Sequence, residues 1–252
     1  MDVIQIFREY GKKIFAIVFL RDDIFDLIQD ADKNKWNDFK IDLEWNKTQI
    51  QKLLSFRLSR AYNPTGSILE FETAWHTAFV DSKVRFGFRQ RGRIDSFDFI
   101  ARSTQQRPRD FIRYIQVCAD YSVRAGNQLI DAETVRREDK SFSNYLRNEL
   151  DDEIHGLLPD IREIFDTIAH IRKQEFRITE FRAIYQDRLK KGFLKTPDPD
   201  FVLQVLFHFS VIGNRPKQRM VDVFRFANKD ARFNSNENII VHRGLYKSLQ
   251  II

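Results

Sequence analysis

The residues best suited to chemistry are the arginines around Pro108. Arg107 and Arg109 flank this proline, and Arg102 and Arg113 lie nearby. Proline is favoured in the first turn of a helix, where free backbone N–H groups attract anions. The planar guanidinium of arginine presents a fixed set of donors that matches phosphate oxygens. This spacing indicates either a phosphate-binding helix start or a solvated basic turn.

The motifs of self-contained enzymes are missing from the sequence. No GxxxxGK[ST] phosphate loop, GxGxxG, HExxH or GxSxG pattern occurs. The five histidines are scattered without metal-ligand spacing, and Cys118 lies four residues after Tyr114 on an apolar helix face. Such a cysteine is typical of a packed core thiol rather than a nucleophile. We therefore expect no metal site, no disulfide and no autonomous catalysis.

Composition limits the class of protein further. The 252 residues carry 42 Lys and Arg against 36 Asp and Glu, a formal net charge of +6. This excess permits nucleic-acid binding without requiring it. The longest apolar stretch, residues 14–20, is far shorter than the roughly 20 residues that span a bilayer. With no secretory signal pattern and a single cysteine, we expect a soluble cytoplasmic protein without a membrane partner.

The N-terminal pattern predicts a short helix over residues 2–11 and then a strand over residues 14–20. A continuous apolar run is typical of a strand buried on both faces of a sheet. A lone strand cannot satisfy its own backbone hydrogen bonds. Its partners would lie later in this chain, on another polypeptide, or in an absent N-terminal portion, and an exposed strand predicts self-association.

A succession of helices is predicted from residue 45 onward. Their ranges are 45–62, 67–80 (with Ser67 and Glu70 as a capping box), 96–105, 108–124 and 131–155, with a basic, glycine-containing loop over 84–93. Three further helices follow over 160–172, 179–190 and 198–212. Strands over 219–226 and 239–242 and a short helix over 244–250 complete the chain. Three helices followed by a β-hairpin is the element order of a winged helix.

Boundaries near residues 43–45 and 156–159 predict three domains, 1–44, 45–158 and 159–252. The third helix of the last domain is apolar and carries Asp198 and Asp200, so it is poorly suited to reading a DNA groove. It suits packing against protein better. The predicted wing is basic, which allows contact with the DNA backbone. Its cations are Lys217, Arg219, Arg225, Lys229 and Arg232.

The segments IFAIVFLRDDIFDLI, DLEWNKTQIQKLLSFR and RPRDFIRY, followed by a winged helix, resemble the C-terminal half of AAA+/STAND-like P-loop ATPases. The nearest resemblance is to a bacterial P-loop ATPase family found among defence-associated genes. The resemblance implies that residues 14–20 are the sensor-1 strand and that Arg21 is the polar residue of the sensor-1 region. It further implies that the following helices form the lid and that Arg109 is the sensor-2 arginine. Arg107 takes that role if the register slips.

The resemblance also implies a mainly α fold with a residual ATPase-core strand, a helical lid bundle and a C-terminal winged helix. Walker A and Walker B are missing, so ATP and Mg²⁺ would bind only with an N-terminal ATPase core. The implied function is to sense nucleotide and relay its state to partner subunits or an effector in antiphage defence. The implied partners are that core or a second copy of the chain, and an effector protein. The alternative is a winged-helix module that binds nucleic acid nonspecifically through the DNA backbone.

Overall fold

The computed structural model describes residues 9, 17–20, 25, 28, 30, 33–218 and 221–251. The chain divides into two units, residues 1–44 and 45–252. The first unit contains a 3-10 helix, Lys33–Phe39. Residues 17–20 form no strand and their side chains are 44 to 83% exposed, so the predicted buried strand is wrong over these positions. Residues 14–16, and the predicted helix 2–11 apart from the helical Glu9, lie outside the described residues.

The second unit is built mainly from α-helices, which confirms the predicted fold class. Small antiparallel sheets complete it within the described residues. The helices are α1 (Lys47–Tyr62), α2 (Phe71–His76), α3 (Ser96–Ala101), α4 (Pro108–Arg124), α5 (Ala132–Ile154), α6 (Ile161–Ile171), α7 (Ile178–Lys190) and α8 (Pro199–His208). The strands are β1 (Lys83–Phe86), β2 (Gly92–Asp95), β3 (Glu175–Phe176), β4 (Ile212–Arg215) and β5 (Asn238–Val241).

Helix α2 is shorter than predicted because α1 binds the backbone that precedes it. The Ser59 hydroxyl accepts from the Leu69 N–H at 2.9 Å, and the Ser55 hydroxyl donates to the Leu69 carbonyl. These bonds hold Leu69 in a non-helical conformation, so α2 begins only at Phe71. Its N-cap makes no side-chain hydrogen bond, and the predicted capping box is therefore wrong.

The predicted basic loop over residues 84–93 is instead a β-hairpin. Strands β1 and β2 pair antiparallel, with Val84 opposite Ile94 and Phe86 opposite Gly92. Val84 is fully buried, and Phe86 and Ile94 pack against the core from partly buried positions. The apolar alternation of period two along both strands explains why this segment is a half-buried ribbon.

Helices α4 and α5 form the centre of the unit. Helix α4 has the predicted bounds, with Pro108 in its first turn, and Asp131 caps α5 by accepting from the Thr134 N–H at 2.7 Å. Helix α3 ends at Ala101 rather than at the predicted residue 105, which leaves residues 102–107 as a connecting turn. The predicted core stripe of Phe111, Tyr114 and Cys118 is buried as expected.

Residues 161–241 run in the order α6, β3, α7, α8, β4, β5. The strand order in the sheet is β3-β5-β4, and both neighbouring pairs are antiparallel. Three helices and a strand pair agree with the order predicted for a winged helix, but the predicted first strand is wrong. Helix α8 ends at His208 and Ile212–Arg215 forms that strand, whereas within 221–226 only Val223 makes a bridge, to Asn214.

One hydrophobic core runs from Ile50 to Ile251 through the whole second unit. A domain boundary at residues 158–159 stays a prediction. Gly244, in the 3-10 helix Arg243–Leu245, lies very close to its neighbours within this core. A Cβ at this position would lie 2.1 Å from the Ser103 carbonyl oxygen and 2.6 Å from Leu146 Cδ2. Only glycine lets the C-terminal segment approach the 102–107 turn so closely.

Gly244→Ala should lower the free energy of unfolding by about 3 kcal/mol, because backbone atoms must move to admit the methyl group. Chemical denaturation measures the change. Gly156→Ala is the matched control, since a Cβ there meets nothing within 4 Å. This control should leave stability unchanged or raise it by about 0.5 kcal/mol. Equal stability of the two variants would contradict the close packing at Gly244.

Candidate functional site

The two arginines of the predicted phosphate site are bound to carboxylates at the end of α5. Arg107 pairs with Glu153 through two hydrogen bonds, Nη1 to Oε1 at 2.8 Å and Nη2 to Oε2 at 3.2 Å. Arg109 also donates to Glu153, and its Nη1 lies 3.2 Å from Glu149 Oε2. The start of α4 is thereby fixed to the last turns of α5. We call these four side chains the Arg–Glu cluster.

The Arg–Glu cluster is partly open to solvent. The Arg109 side chain is 49% exposed and that of Glu153 is 19% exposed. Although burial lowers it, the pKa of Arg109 is held above its ordinary value by the hydrogen bond and charge of Glu153. Neighbouring Asp110 is buried, which raises its pKa, and it accepts from the Gln105 N–H at 3.1 Å. Two cations thus face two partly exposed carboxylates, so an external anion could contact these arginines only by displacing a glutamate.

The turn before α4 contacts the C-terminal half of the chain. Gln105 Nε2 donates to the carbonyls of Phe209 and Ser210, at 3.0 and 3.3 Å. The backbone of Thr104 hydrogen-bonds the His242 ring. Residues 103–105 therefore join the Arg–Glu cluster to the segment after α8 and to the residue that follows β5.

A buried polar network around Asp139 makes the strongest connection. The Asp139 carboxylate is 3% exposed and accepts from Arg243, whose Nη1 and Nη2 lie 3.1 and 3.2 Å from Oδ1 and Oδ2. It also accepts from the hydroxyls of Tyr114 at 3.1 Å and Ser103 at 3.3 Å. Burial and the Asp139 charge raise the pKa of Tyr114 well above its usual range. The carboxylate has donors enough to be stable inside the core.

Arg102 lies beside this network and stacks on aromatic rings. Its guanidinium carbon is 4.0 Å from the centroid of Phe86 and 4.8 Å from that of Phe99. Arg243 lies 4.6 Å from the same Phe99 ring. Burial, and then the charge of Arg243, lower the pKa of Arg102 to about 10. Two arginines thus share one aromatic ring, and the charge of Asp139 offsets part of their mutual repulsion.

His242 is a buried, neutral histidine. Its ring packs edge-on against Phe224 and Phe226, with centroids 5.4 Å away in each case. The Gly244 N–H donates to Nδ1 at 3.2 Å, so the ring proton lies on Nε2. Burial lowers the pKa of His242 to about 3. This histidine is a packing and hydrogen-bonding residue at neutral pH.

The basic residues of the predicted wing differ in their exposure. Lys217, Lys229 and Arg232 are exposed and Arg225 is half-buried, whereas Arg219 and Arg21 lie outside the described residues. Helix α8 buries Val202, Leu203, Val205, Leu206 and Phe207, as its apolar sequence suggested. Its exposed residues include Phe201 and Gln204, a poor set for reading bases.

A shallow polar cleft lies between α1, α2 and α3. Its volume is about 250 Å³, and Lys47, Glu72, His76 and Asp98 are among the residues that line it. Among the described residues, no group of three His, Cys, Asp or Glu side chains is arranged to hold a metal ion. Cys118 is fully buried and burial raises its thiol pKa, in agreement with a core thiol. Neither feature adds chemistry to the Arg–Glu cluster.

Sequence reasoning missed Asp139 and Arg243. One signal was present, because Asp139 falls on the helical stripe of Val135, Phe142 and Leu146, where an apolar residue would be expected. An acid at such a position requires buried donors. Nothing local identifies Arg243 as the donor, since it lies 104 residues further along the chain.

Comparison with protein families matches residues 48–151 to FunZ_C, the FunZ-associated C-terminal helical domain. The matched range covers less than half of the chain, from α1 into the last turns of α5, and includes Arg107, Arg109 and Glu149. No curated protein and no solved structure matches the chain. Across the described residues, none of the helices is both long and apolar enough to cross a bilayer.

Arg243→Leu and Asp139→Leu should each lower the free energy of unfolding by about 3–5 kcal/mol, because each leaves a buried charge without its partner. The double variant should lose less than the sum of the two single changes. Chemical denaturation of all four proteins gives the coupling energy. Asp187→Asn, which breaks the exposed Asp187–Lys191 pair, is the control and should cost about 0.5 kcal/mol or less. Additive single changes would show that the pair is not coupled.

His242 should make stability depend on acid. The unfolded chain protonates this histidine below about pH 6.5, while the folded protein keeps it neutral down to about pH 3. The unfolded state therefore binds more protons in this window, and the free energy of unfolding falls as pH drops, by at most about 1.4 kcal/mol per pH unit from this group. His242→Gln should reduce that slope between pH 6.5 and 4, as chemical denaturation at each pH will measure. An equal slope in the parent and in this variant would contradict a neutral, buried His242.

Proposed function

We propose that this chain is the nucleotide-sensing lid and winged-helix portion of a P-loop ATPase of the AAA+/STAND-like type. The observation that supports the proposal is the position of the 102–107 turn. At one end, Arg107 and Arg109 stand at the first turn of a long helix. At the other end, Ser103, Thr104 and Gln105 bond to the winged-helix region. A phosphate that binds to the arginines would therefore displace a turn that is hydrogen-bonded directly to the C-terminal half of the chain.

The donor set fits a phosphate. Arg107 and Arg109 offer two guanidinium groups at the start of a helix, and Arg109 is half exposed. Glu149 and Glu153 occupy the arginines, as carboxylates that stand where phosphate oxygens would bind. Arg109 would turn from Glu153 toward a phosphate oxygen, a charge-assisted hydrogen bond of about 1.5–3 kcal/mol. Because the two carboxylates compete for the arginines, an anion binds only if its affinity for the arginines exceeds that of the glutamates.

ATP and Mg²⁺ supply the hydrolysis chemistry when they are bound to an ATPase core with Walker motifs, which this sequence lacks. The residues of this chain bind a phosphate, hold the start of α4 and move Gln105 against the Phe209 and Ser210 carbonyls. The state is then relayed to partner subunits or to an effector. The match of residues 48–151 to a C-terminal helical domain supports an accessory part of this kind. A role in antiphage defence rests on the resemblance to defence-associated ATPases.

Glu153→Gln should raise the affinity of the purified chain for ATP and for tripolyphosphate about 10-fold at low ionic strength, because Arg109 loses its strongest competitor. Arg109→Ala in the Glu153→Gln background should abolish this gain. Isothermal titration calorimetry measures both effects. The hydrogen-exchange rate of the backbone amides of residues 209–211 should change when ligand is added. This change should occur only in proteins that retain Arg109.

Arg113→Ala is the matched control. Arg113 lies one turn further along α4 and stacks on Tyr145 at 5.5 Å from the ring centroid, and within the described part of the chain it forms no ion pair with Glu149 or Glu153. Its loss should leave phosphate affinity within about twofold of the parent, since it contributes only diffuse charge. If Glu153→Gln binds neither ligand at millimolar concentration, or binds equally without Arg109, the sensor assignment fails.

A further inference from the structure

The β1–β2 hairpin has an unusual concentration of positive charge. Lys83, Arg85, Arg89, Arg91 and Arg93 fall within eleven consecutive residues, and all five are exposed. The one carboxylate of the hairpin strands, Asp95, stands opposite Lys83, with Nζ and Oδ1 3.8 Å apart. Arg85 and Arg93, the arginines of the two strands, are therefore not neutralised within the hairpin strands. We call this segment, residues 83–95, the basic ribbon.

Like charges face each other across the basic ribbon. Arg85 and Arg93 are direct cross-strand partners, an arrangement that destabilises a free antiparallel pair. Among the described residues, no carboxylate forms an ion pair with Arg85, Arg91 or Arg93. Elsewhere in the unit, arginines such as Arg107, Arg215 and Arg243 are paired with acids. The Arg85–Arg93 pair lowers the stability of the hairpin, which indicates that these positive charges serve binding rather than folding.

The basic ribbon is anchored firmly from its other face. Val84 is fully buried and Ile94 packs against the core. The Phe86 ring lies under the Arg102 guanidinium, and it occupies the space where a Cβ of Gly92 would stand, 2.7 Å away. The cations are thus held on a fixed two-stranded platform, which lowers the entropy lost on binding a partner.

The tip of the ribbon adds backbone evidence. Arg89 and Gln90 adopt left-handed conformations, with φ of 51° and 55°. Such conformations cost a residue with a side chain about 1–2 kcal/mol, and glycine would avoid this cost. A charged and a polar side chain occupy these positions instead. The presence of Arg89 and Gln90 here indicates that their side chains contribute more than the left-handed backbone conformation costs.

We propose that the basic ribbon binds the phosphate backbone of duplex DNA. A rigid two-stranded ribbon fits the wide major groove of B-form DNA, whereas the major groove of A-form RNA is too deep and narrow. Arginine predominates over lysine, and its planar fork pairs with two phosphate oxygens. The apolar side chains of the strands, Val84, Phe86 and Ile94, face the protein core rather than outward, so the strands offer nothing to insert into a lipid bilayer. The proposal is independent of nucleotide sensing and of the wing.

The test is fluorescence anisotropy of a labelled 30-base-pair duplex of arbitrary sequence, between 50 and 200 mM salt and without nucleotide. The triple variant Arg85→Gln, Arg91→Gln, Arg93→Gln should bind at least about 10-fold more weakly. The logarithm of the association constant falls with the logarithm of the salt concentration, and the steepness of this fall should decrease by about 2.7 in the variant. This is about 0.9 for each phosphate that is no longer neutralised. Its thermal midpoint should equal or exceed that of the parent, because cross-strand repulsion is removed.

A charge-matched control removes three exposed cations elsewhere, through Arg57→Gln, Arg124→Gln and Lys190→Gln, and should keep the parent affinity within about twofold. The proposal is overturned if the parent fails to bind at 50 mM salt or if the ribbon and control variants bind equally. It is also overturned if only loss of the wing cations Lys217, Lys229 and Arg232 weakens binding. Tighter binding to duplex RNA, to vesicles with 30% phosphatidylserine or to polyglutamate would assign the ribbon to another partner and overturn the proposal as well.

Discussion

The structure of the second unit depends on a carboxylate that is almost completely buried. Asp139 lies in the middle of α5, on the stripe that packs against α4, and an isolated charge there would be highly unfavourable. Donors from the turn after α3, from α4 and from the C-terminal segment converge on it, through Ser103, Tyr114 and Arg243. The need to satisfy this one group fixes where three separate parts of the chain meet. It does so more specifically than apolar contacts alone, which tolerate many arrangements.

The same convergence gives the 102–107 turn two roles that are usually separate. Its side chains and backbone fill hydrogen-bonding positions inside the unit, while the helix that it introduces carries Arg107 and Arg109 toward solvent. A short connection held by several hydrogen bonds transmits displacement better than a flexible loop, because it has few conformations in which to absorb motion. The Arg–Glu cluster and the basic ribbon lie outside this rigid centre. Their charges can exchange partners without exposing the core.

Local sequence signals predicted the long helices well and the short strands poorly. Pro108, Gly126 and Asp131 mark helix ends by backbone chemistry alone, so the bounds of α4 and α5 were predictable. Strand β4 was not, because the apolar run through α8 continues to Ile212 and only tertiary pairing with β5 ends the helix at His208. The sequence predicts a loop over residues 84–93, where the structure has the β1–β2 hairpin, because the arginines obscure the apolar alternation of Val84, Phe86 and Ile94. The Asp139–Arg243 pair could not be predicted, because no local sequence pattern indicates a contact between residues so far apart in the chain.

The distance along the chain between Ser103 and Arg243, 140 residues, has a consequence for how the molecule reaches its native state. Contacts of such separation form slowly, since the entropy of closing a long loop must be lost before the contact stabilises anything. Helices α4 and α5 are neighbours in sequence and can pair early, but the Asp139 carboxylate in their interface then lacks its cationic partner, Arg243. The early helical pair is thereby kept marginal until the C-terminal segment arrives. Folding of the two halves is coupled into one cooperative event, and a partly folded helical intermediate has little chance to accumulate.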